Sequence, residues 1–251
     1  MTRDLVIGVD ASTTAAKAVI WNSEGIPLSQ AKSTYPLSTP QPGWGEQNAE
    51  DWWVATANSV RRAVQTVDTS RIAAISITHQ RETFVCVDKE NNPLRPAMLW
   101  LDSRAVAEVE EFGTERVHAI TGKPVNLTPA WYKLLWLQKN EPETLERTFR
   151  VTDVQGFIVN RLTGDWVTSY GSADPLGVID MNTFDYSDEL LNTAQLSRDQ
   201  FPRLAAPGEV IGKVSNQIAE ELGLPRNLPV VAGVGDGQSA QLGTGGINPG
   251  T

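Results

Sequence analysis

The chain has little of what several functions require. It has one cysteine, Cys86, in 251 residues, so an intramolecular disulfide is excluded. Cys86 lies in the apolar run TFVCV and reads as a core residue rather than a nucleophile. Two histidines and no cysteine cluster argue against a zinc site. No apolar run approaches the roughly 20 residues that a membrane-spanning helix needs. No signal peptide precedes LVIGVD, so a cytoplasmic protein without a membrane partner is expected. Lysine and arginine number 21 against 30 acidic residues, a formal net charge of -9 that suits no nucleic-acid backbone. That balance does not exclude ATP, because a bound cation and local dipoles can invert the field. The GxxxxGK(S/T) phosphate loop is absent, and no internal repeat or clear linker is visible.

What is present is globular. Hydrophobic residues make up 40% and charged residues 20%, with eight tryptophans able to fill a core or line a pocket. LVIGVD predicts a buried strand over 5–9, and Ala18–Trp21 and Ile26–Ser33 predict the next two, joined by the turn NSEG. The proline-rich stretch Pro36–Gly45 fits neither a central strand nor a helix interior. Asn48 or Asp51 can cap a helix running to about Val67. IAAISIT predicts a strand ending at HQRE, and TFVCVD predicts another. Helices are expected over 105–112, 133–139, 151–164 with Gly164 closing it, and 184–196. PVVAGV then gives a strand, a glycine bend and a short helix.

The polar residues collect at predicted strand ends, where α/β sheets gather their ligands. Asp10 closes the first strand and Ser12, Thr13 and Thr14 fill the turn after it. A carboxylate, hydroxyls and free N–H groups there suit magnesium and polyphosphate, with Lys17 as an added point charge. A plain surface turn is the alternative. His79, Gln80, Arg81 and Glu82 offer every hydrogen-bonding type that sugar hydroxyls need, although Arg81 can equally serve an ion pair with Glu82 or Asp102 and His79 a structural role. Trp100 can supply a floor for a sugar's C–H face and Asp102 can accept its hydroxyls. The alternative is a core Trp100 with an Asp102–Arg104 surface pair. Trp131, Tyr132 and Trp136 read as helix packing, and Trp44 as a rim residue. Asp236, in the bend GVGDG, can take the proton of an attacking hydroxyl or sit beside magnesium, or be only a turn aspartate. Asp174, Asp180, Asp185 and Asp188 read as caps or solvent residues.

Taken together, IGVDASTTAAKAVIWNSEG, SITHQRETFVCVD, LWLDSRA, KLLWLQKNEP and VVAGVGDGQSAQLGTGG resemble the FGGY family of carbohydrate kinases over the whole chain. The resemblance implies a ribonuclease H-like, actin-like ATPase fold: an α/β domain with a mixed sheet flanked by helices. Residues 1–243 would form the family's N-terminal, substrate-binding domain. Residues 244–251 would begin the link to a C-terminal ATP-binding domain that this chain lacks, leaving the piece alone with little turnover. The implied activity is transfer of phosphoryl from Mg-ATP to a terminal hydroxyl of a ketose such as xylulose or ribulose. A glycerol or other polyol kinase, or a non-catalytic sugar-binding domain, are the alternatives, and a homodimer is allowed. By position, the resemblance assigns Asp10 to magnesium and phosphate, Thr13 and Thr14 to phosphate, and Asp236 to the base. Gln80, Arg81, Glu82, Trp100 and Asp102 fall on the acceptor side. Arg81-Glu82 resembles the Arg-Glu pair of glycerol kinases, whereas xylulose kinases usually carry Met-His there. Ser12 stands where a glycine is usual, Ala130 where Pro, Ser or Thr is, and Leu101 where Gln or Asn is. Thr128 falls where glycerol kinases offer a tyrosine to the polyol.

Overall fold

The computed structural model describes residues 3–246. The chain opens with β1 (Leu5–Ala11), β2 (Ala15–Trp21) and β3 (Pro27–Thr34), followed by the short β4 (Glu46–Gln47) and helix α1 (Ala49–Val64). Asn48 caps α1 by accepting the Glu50 N–H at 3.2 Å. Next come β5 (Ile72–His79), β6 (Phe84–Val87), β7 (Ala97–Met98), α2 (Val106–Phe112), α3 (Glu115–Thr121), α4 (Ala130–Asn140) and α5 (Pro142–Arg147). β8 (Arg150–Asp153), α6 (Val154–Thr163), β9 (Val167–Ser169) and α7 (Tyr170–Ala173) follow, then the hairpin β10 (Ile179–Asp180) and β11 (Asp185–Tyr186), and α8 (Asp188–Thr193). The last elements are β12 (Arg203–Ala205), β13 (Val210–Lys213), α9 (Asn216–Leu222), β14 (Pro229–Val231) and α10 (Asp236–Gly243).

The main sheet has the order β13-β14-β5-β1-β2-β3. β1, β2 and β3 form an antiparallel meander, β5 and β14 run parallel to β1, and β13 is antiparallel to β14. It is a mixed sheet carrying α1 against β1, β2 and β3, with α6 packed on β5 and α9 on α1. Strand alternation divides the faces. Leu5, Ile7, Val9 and Ala11 of β1 are buried toward the helices, while Gly8 and Asp10 lie on the other face. A second sheet has the order β4-β7-β6-β8. β6 joins the two apolar cores by the same alternation: Val85 and Val87 belong to the core around the main sheet, Phe84 and Cys86 to the core built on α4. Cys86 is thus the core cysteine expected, and burial pushes its thiol up to about 11.

Two expectations change. The segment 151–164 is not one helix: its first residues form β8, paired antiparallel with β6, and only Val154–Thr163 is helical. The segment 184–196 likewise begins as β11 before α8. The residues 133–139 are helical as expected, within α4 from Ala130. Of the expected link 244–251, residues 247–251 lie outside the described residues. No helix among the described residues is long and apolar enough to cross a membrane.

Candidate active site

Three adjacent strands deliver the chemistry-bearing residues to one end of the main sheet. Asp10 of β1 pairs with Thr78 of β5 and Lys17 of β2, so the three side chains share a face. His79 bridges Gly235 beyond β14, which brings the loop of Asp236 alongside the end of β5. Thr78 Oγ1 donates to the Val234 carbonyl at 2.7 Å and accepts from Ser239 Oγ at 3.0 Å, fastening the start of α10 to the sheet. In the order β14-β5-β1, a single strand, β5, thus separates the strand that ends at Asp10 from the one that leads to Asp236. A cleft of about 420 Å³ is lined by Gly8, Asp10, Lys17, Thr78, Gly233 and Ser239, among others.

The first turn is held from several directions. Ser12 N–H closes it on the Ala15 carbonyl at 3.0 Å, and Ser12 Oγ donates to Asp10 Oδ2 at 2.6 Å. Where a glycine would leave Asp10 loose, the serine fixes one of its oxygens. Tyr35 donates to the Ser12 carbonyl, and Gln47 Nε2 to the Thr13 carbonyl. Burial, and then the Asp10 charge, push the Tyr35 phenol well above its ordinary range, so it remains a donor. Asp10 Oδ1 is buried without a protein partner. That oxygen fits an outer or inner ligand of magnesium, an ion that takes one or two carboxylates and keeps waters and phosphate oxygens for the rest. Among the described residues no group of three or more His, Cys, Asp or Glu side chains could hold a metal ion. Thr14 and Lys17 are exposed beside the turn.

The acceptor side begins one residue past β5. Glu82 has φ 54, a left-handed conformation that costs a non-glycine residue roughly 1 kcal/mol or more. Burial pushes its carboxyl above the ordinary range, while the Arg81 and Lys123 cations pull it back. Arg81 Nη2 stands 3.8 Å from both Glu82 Oε1 and Asp174 Oδ1, and Lys123 pairs with Asp174. Those 3.8 Å separations are too long for hydrogen bonds. His79 Nε2, Gln80 Oε1, Arg81 Nε, Asp174 Oδ1 and Gln238 Oε1 are all buried without a hydrogen-bond partner. Native proteins leave few such atoms. Those of Arg81, Asp174 and Gln238 lie together, Arg81 beside Asp174 and both Arg81 and Gln238 against Gly235, whereas His79 lies on the core face of β5 with Ile75 and Ile77 and Gln80 bonds Gln47. A Cβ on Gly235 would stand 2.6 Å from Arg81 Cγ and 2.8 Å from Gln238 Oε1, so the stem of Arg81 lies directly on the backbone preceding Asp236. Asp236 itself is exposed at the start of α10, one oxygen accepting the Gly237 N–H at 2.7 Å.

Two tryptophans divide differently from their sequence alternatives. Trp100 is 42% exposed, and its Nε1 donates to Thr13 Oγ1 at 3.1 Å, linking the acceptor side to the first turn. Trp44 covers the Arg104 guanidinium at 3.6 Å, with Trp136 edge-on to it, which makes it a structural lid on a cation more than a free rim. Trp131 and Tyr132 are buried in the second core as expected. Asp102 is the correction. It is 1% exposed, and both its oxygens are taken, by Arg104 and by the Gly45 N–H. It forms the Asp102–Arg104 pair foreseen as its alternative, but buried rather than on the surface, and has no oxygen free for a sugar. Burial would raise its carboxyl, yet the Arg104 and Gly45 bonds outweigh that and hold it below the ordinary range. Asp174, read from sequence as a cap or solvent residue, instead stands beside Arg81 and pairs with Lys123; only the fold brings SADPLG opposite HQRE. His79 is 1% exposed, its Nδ1 against the Gln80 carbonyl at 2.6 Å. A larger cavity, about 620 Å³ beside Arg150, Trp166 and Arg203, is lined by none of these residues.

Residues 5–243 match the model of the FGGY family of carbohydrate kinases, N-terminal domain. The chain belongs to the FGGY family. It is 32% identical to the glycerol kinase of Thermococcus gammatolerans over 98% of this chain and 50% of that protein. It is 30% identical to the xylulose kinase of Escherichia coli over 96% of this chain and 50% of that protein. Its fold superposes on xylulose kinase from Rhodospirillum rubrum with a TM-score of 0.93 at 28% identity, covering 98% of this chain and 52% of that one. The FGGY chain thus has the actin-like α/β fold that its sequence implied. It spans about half the length of the curated relatives it matches.

Proposed function

We propose that this FGGY chain is the acceptor-binding half of a kinase that transfers the γ-phosphoryl group of ATP to a terminal hydroxyl of a neutral sugar or polyol. The observation that supports this best is the group of unpartnered polar atoms on Arg81, Asp174 and Gln238, packed against Gly235 next to the exposed Asp236. Hydroxyl groups both donate and accept, so a polyhydroxylated ligand can satisfy such a mixed set. Gln80, Arg81, Glu82 and Asp174 would hold the acceptor, and the half-exposed Trp100 face would receive its C–H side. Asp102 would shape this wall through Arg104 and Gly45. Asp236 would orient the attacking hydroxyl and accept its proton. Thr13, Thr14 and Lys17 would meet the polyphosphate, and Asp10 the magnesium. Bound magnesium would neutralise charge on the transferred phosphoryl group.

Charge narrows the acceptor. Arg81 and Lys123 stand against Glu82 and Asp174, a balanced set of charges that suits a neutral polyhydroxylated acceptor. A ketose such as xylulose or ribulose is the first reading. The Arg81–Glu82 pair favours glycerol or another polyol as the second. Full-length protein assayed with ATP and xylulose, ribulose, erythritol, glycerol and gluconate tests both. Sugar-dependent ADP release identifies the acceptor. Sugar binding without any transfer would instead support a non-catalytic module.

Gly235 offers a sharper check. Gly235→Ala should push Arg81 off the backbone and raise the acceptor KM about 10-fold through its loosened hydrogen bonds. The nucleotide KM should hardly move. An unchanged acceptor KM would show that Arg81 does not rest on Gly235 in the working enzyme.

A further inference from the structure

A buried lysine lies beneath the acceptor cluster. Lys133 of α4 is 0% exposed, between Leu134, Leu135 and Tyr132, all in the second core. Its Nζ donates to the carbonyls of Leu127 and Thr128, each at 3.0 Å, and among the described residues it makes no salt bridge. Burying an ammonium costs several kcal/mol unless its charge and donors are answered. Burial pulls Lys133 down to about 8, with the Asp102 and Glu82 charges opposing that fall and Arg104 adding to it. A leucine would pack the same helix face without that cost, so the ammonium must serve what it holds.

What it holds is the segment 122–129 between α3 and α4. Gly122 and Pro124–Asn126 are exposed. At one end Lys123 pairs with Asp174, which faces Arg81. At the other end the Asn126 side chain turns the chain by accepting from Thr128 N–H and Oγ1 at 2.9 and 2.6 Å. The two carbonyls gripped by Lys133 are that turn's tie to the core. We propose that Lys133 is a positioning residue for acceptor binding: by gripping the Leu127 and Thr128 carbonyls it sets the 122–129 segment so that Lys123 stands against Asp174 and the acceptor pocket. This rests on the reading of that pocket as the sugar site.

The test uses full-length protein carrying Lys133→Met, Lys133→Gln or Lys133→Arg. Two measurements are made: amide hydrogen exchange over 122–128 without ligand, and steady-state kinetics with the best sugar of the panel. For Lys133→Met, exchange in this segment should rise about 10-fold or more, in line with the loss of hydrogen bonds to a charged donor. The sugar KM should rise by a similar factor, with the nucleotide KM and kcat within about threefold. Lys133→Arg should recover most of both effects, and Lys133→Gln, which keeps neutral donors, should fall between. If Lys133→Met does not fold, the Gln and Arg variants carry the same comparison. Unchanged exchange overturns the grip. Faster exchange with an unchanged sugar KM overturns the positioning role, as does a uniform loss of kcat, both KM values and stability. Wild-type protein that phosphorylates no sugar counts against the kinase reading, while exchange still decides the grip.

Discussion

Asp236→Asn in the full-length protein is expected to lower kcat for sugar phosphorylation by about 10²–10⁴-fold, the usual range for a lost general base. Sugar affinity should stay within about twofold. The reasoning is geometric. Asp236 is exposed at the first position of α10, and one oxygen already accepts the Gly237 N–H at 2.7 Å. An asparagine oxygen can accept the same bond, so the turn survives and only proton-accepting capacity is lost. The proposed grip on the acceptor belongs to Arg81, Glu82 and Asp174, none of which the change touches. Steady-state kinetics give the fall in kcat, and calorimetric titration of sugar gives the affinity. Near-wild-type turnover would remove Asp236 from the reacting atoms. A large loss of sugar affinity would make it a binding residue instead.

The sequence made the strand-end chemistry readable because β1 and β5 are long enough to show alternation. Once Leu5, Ile7 and Val9 face the core, Asp10 must face the other way, and the same logic carries Thr78. The meander β1–β3 was readable for the same reason. β8 was not, because four residues bounded by a helix carry too little period to separate strand from helix. Asp174 and Lys133 were out of reach for another reason. Their meaning lies in partners far along the chain or in burial, and neither leaves a local pattern. The Asp102–Arg104 pair shows the opposite failure. Both residues stood out, and the correct partnership was in view, but sequence gave no measure of burial and so could not tell an exposed pair from an inner one.

That burial makes Asp102→Ala a stability experiment before it is an activity experiment. Arg104 is 1% exposed along its side chain, its guanidinium held by Asp102 at 2.7 Å and by Glu46 at 2.7 Å beneath the Trp44 ring. Arg95 also bonds Glu46 at 2.7 Å, and Glu141 at 3.0 Å, so Arg104 would be left with a single carboxylate that it shares with Arg95. Removing one partner of a buried pair costs about 3–5 kcal/mol. The surviving Glu46 contact puts the expectation toward the lower end, or a fall in Tm of about 10 °C for a chain of this size. Acid should erase the difference. Asp102 is held below its unfolded value of about 3.9, so the stability it contributes is complete above that pH and disappears as pH falls through the folded value. Urea unfolding of wild type and Asp102→Ala at pH 7 and pH 3 should therefore show a gap that narrows in acid. A variant of normal stability with a raised sugar KM would return Asp102 to the acceptor surface. The reverse result would establish that the wall bearing Trp100 is built on an inner arginine, with the sugar reading the outer face of a framework it does not touch.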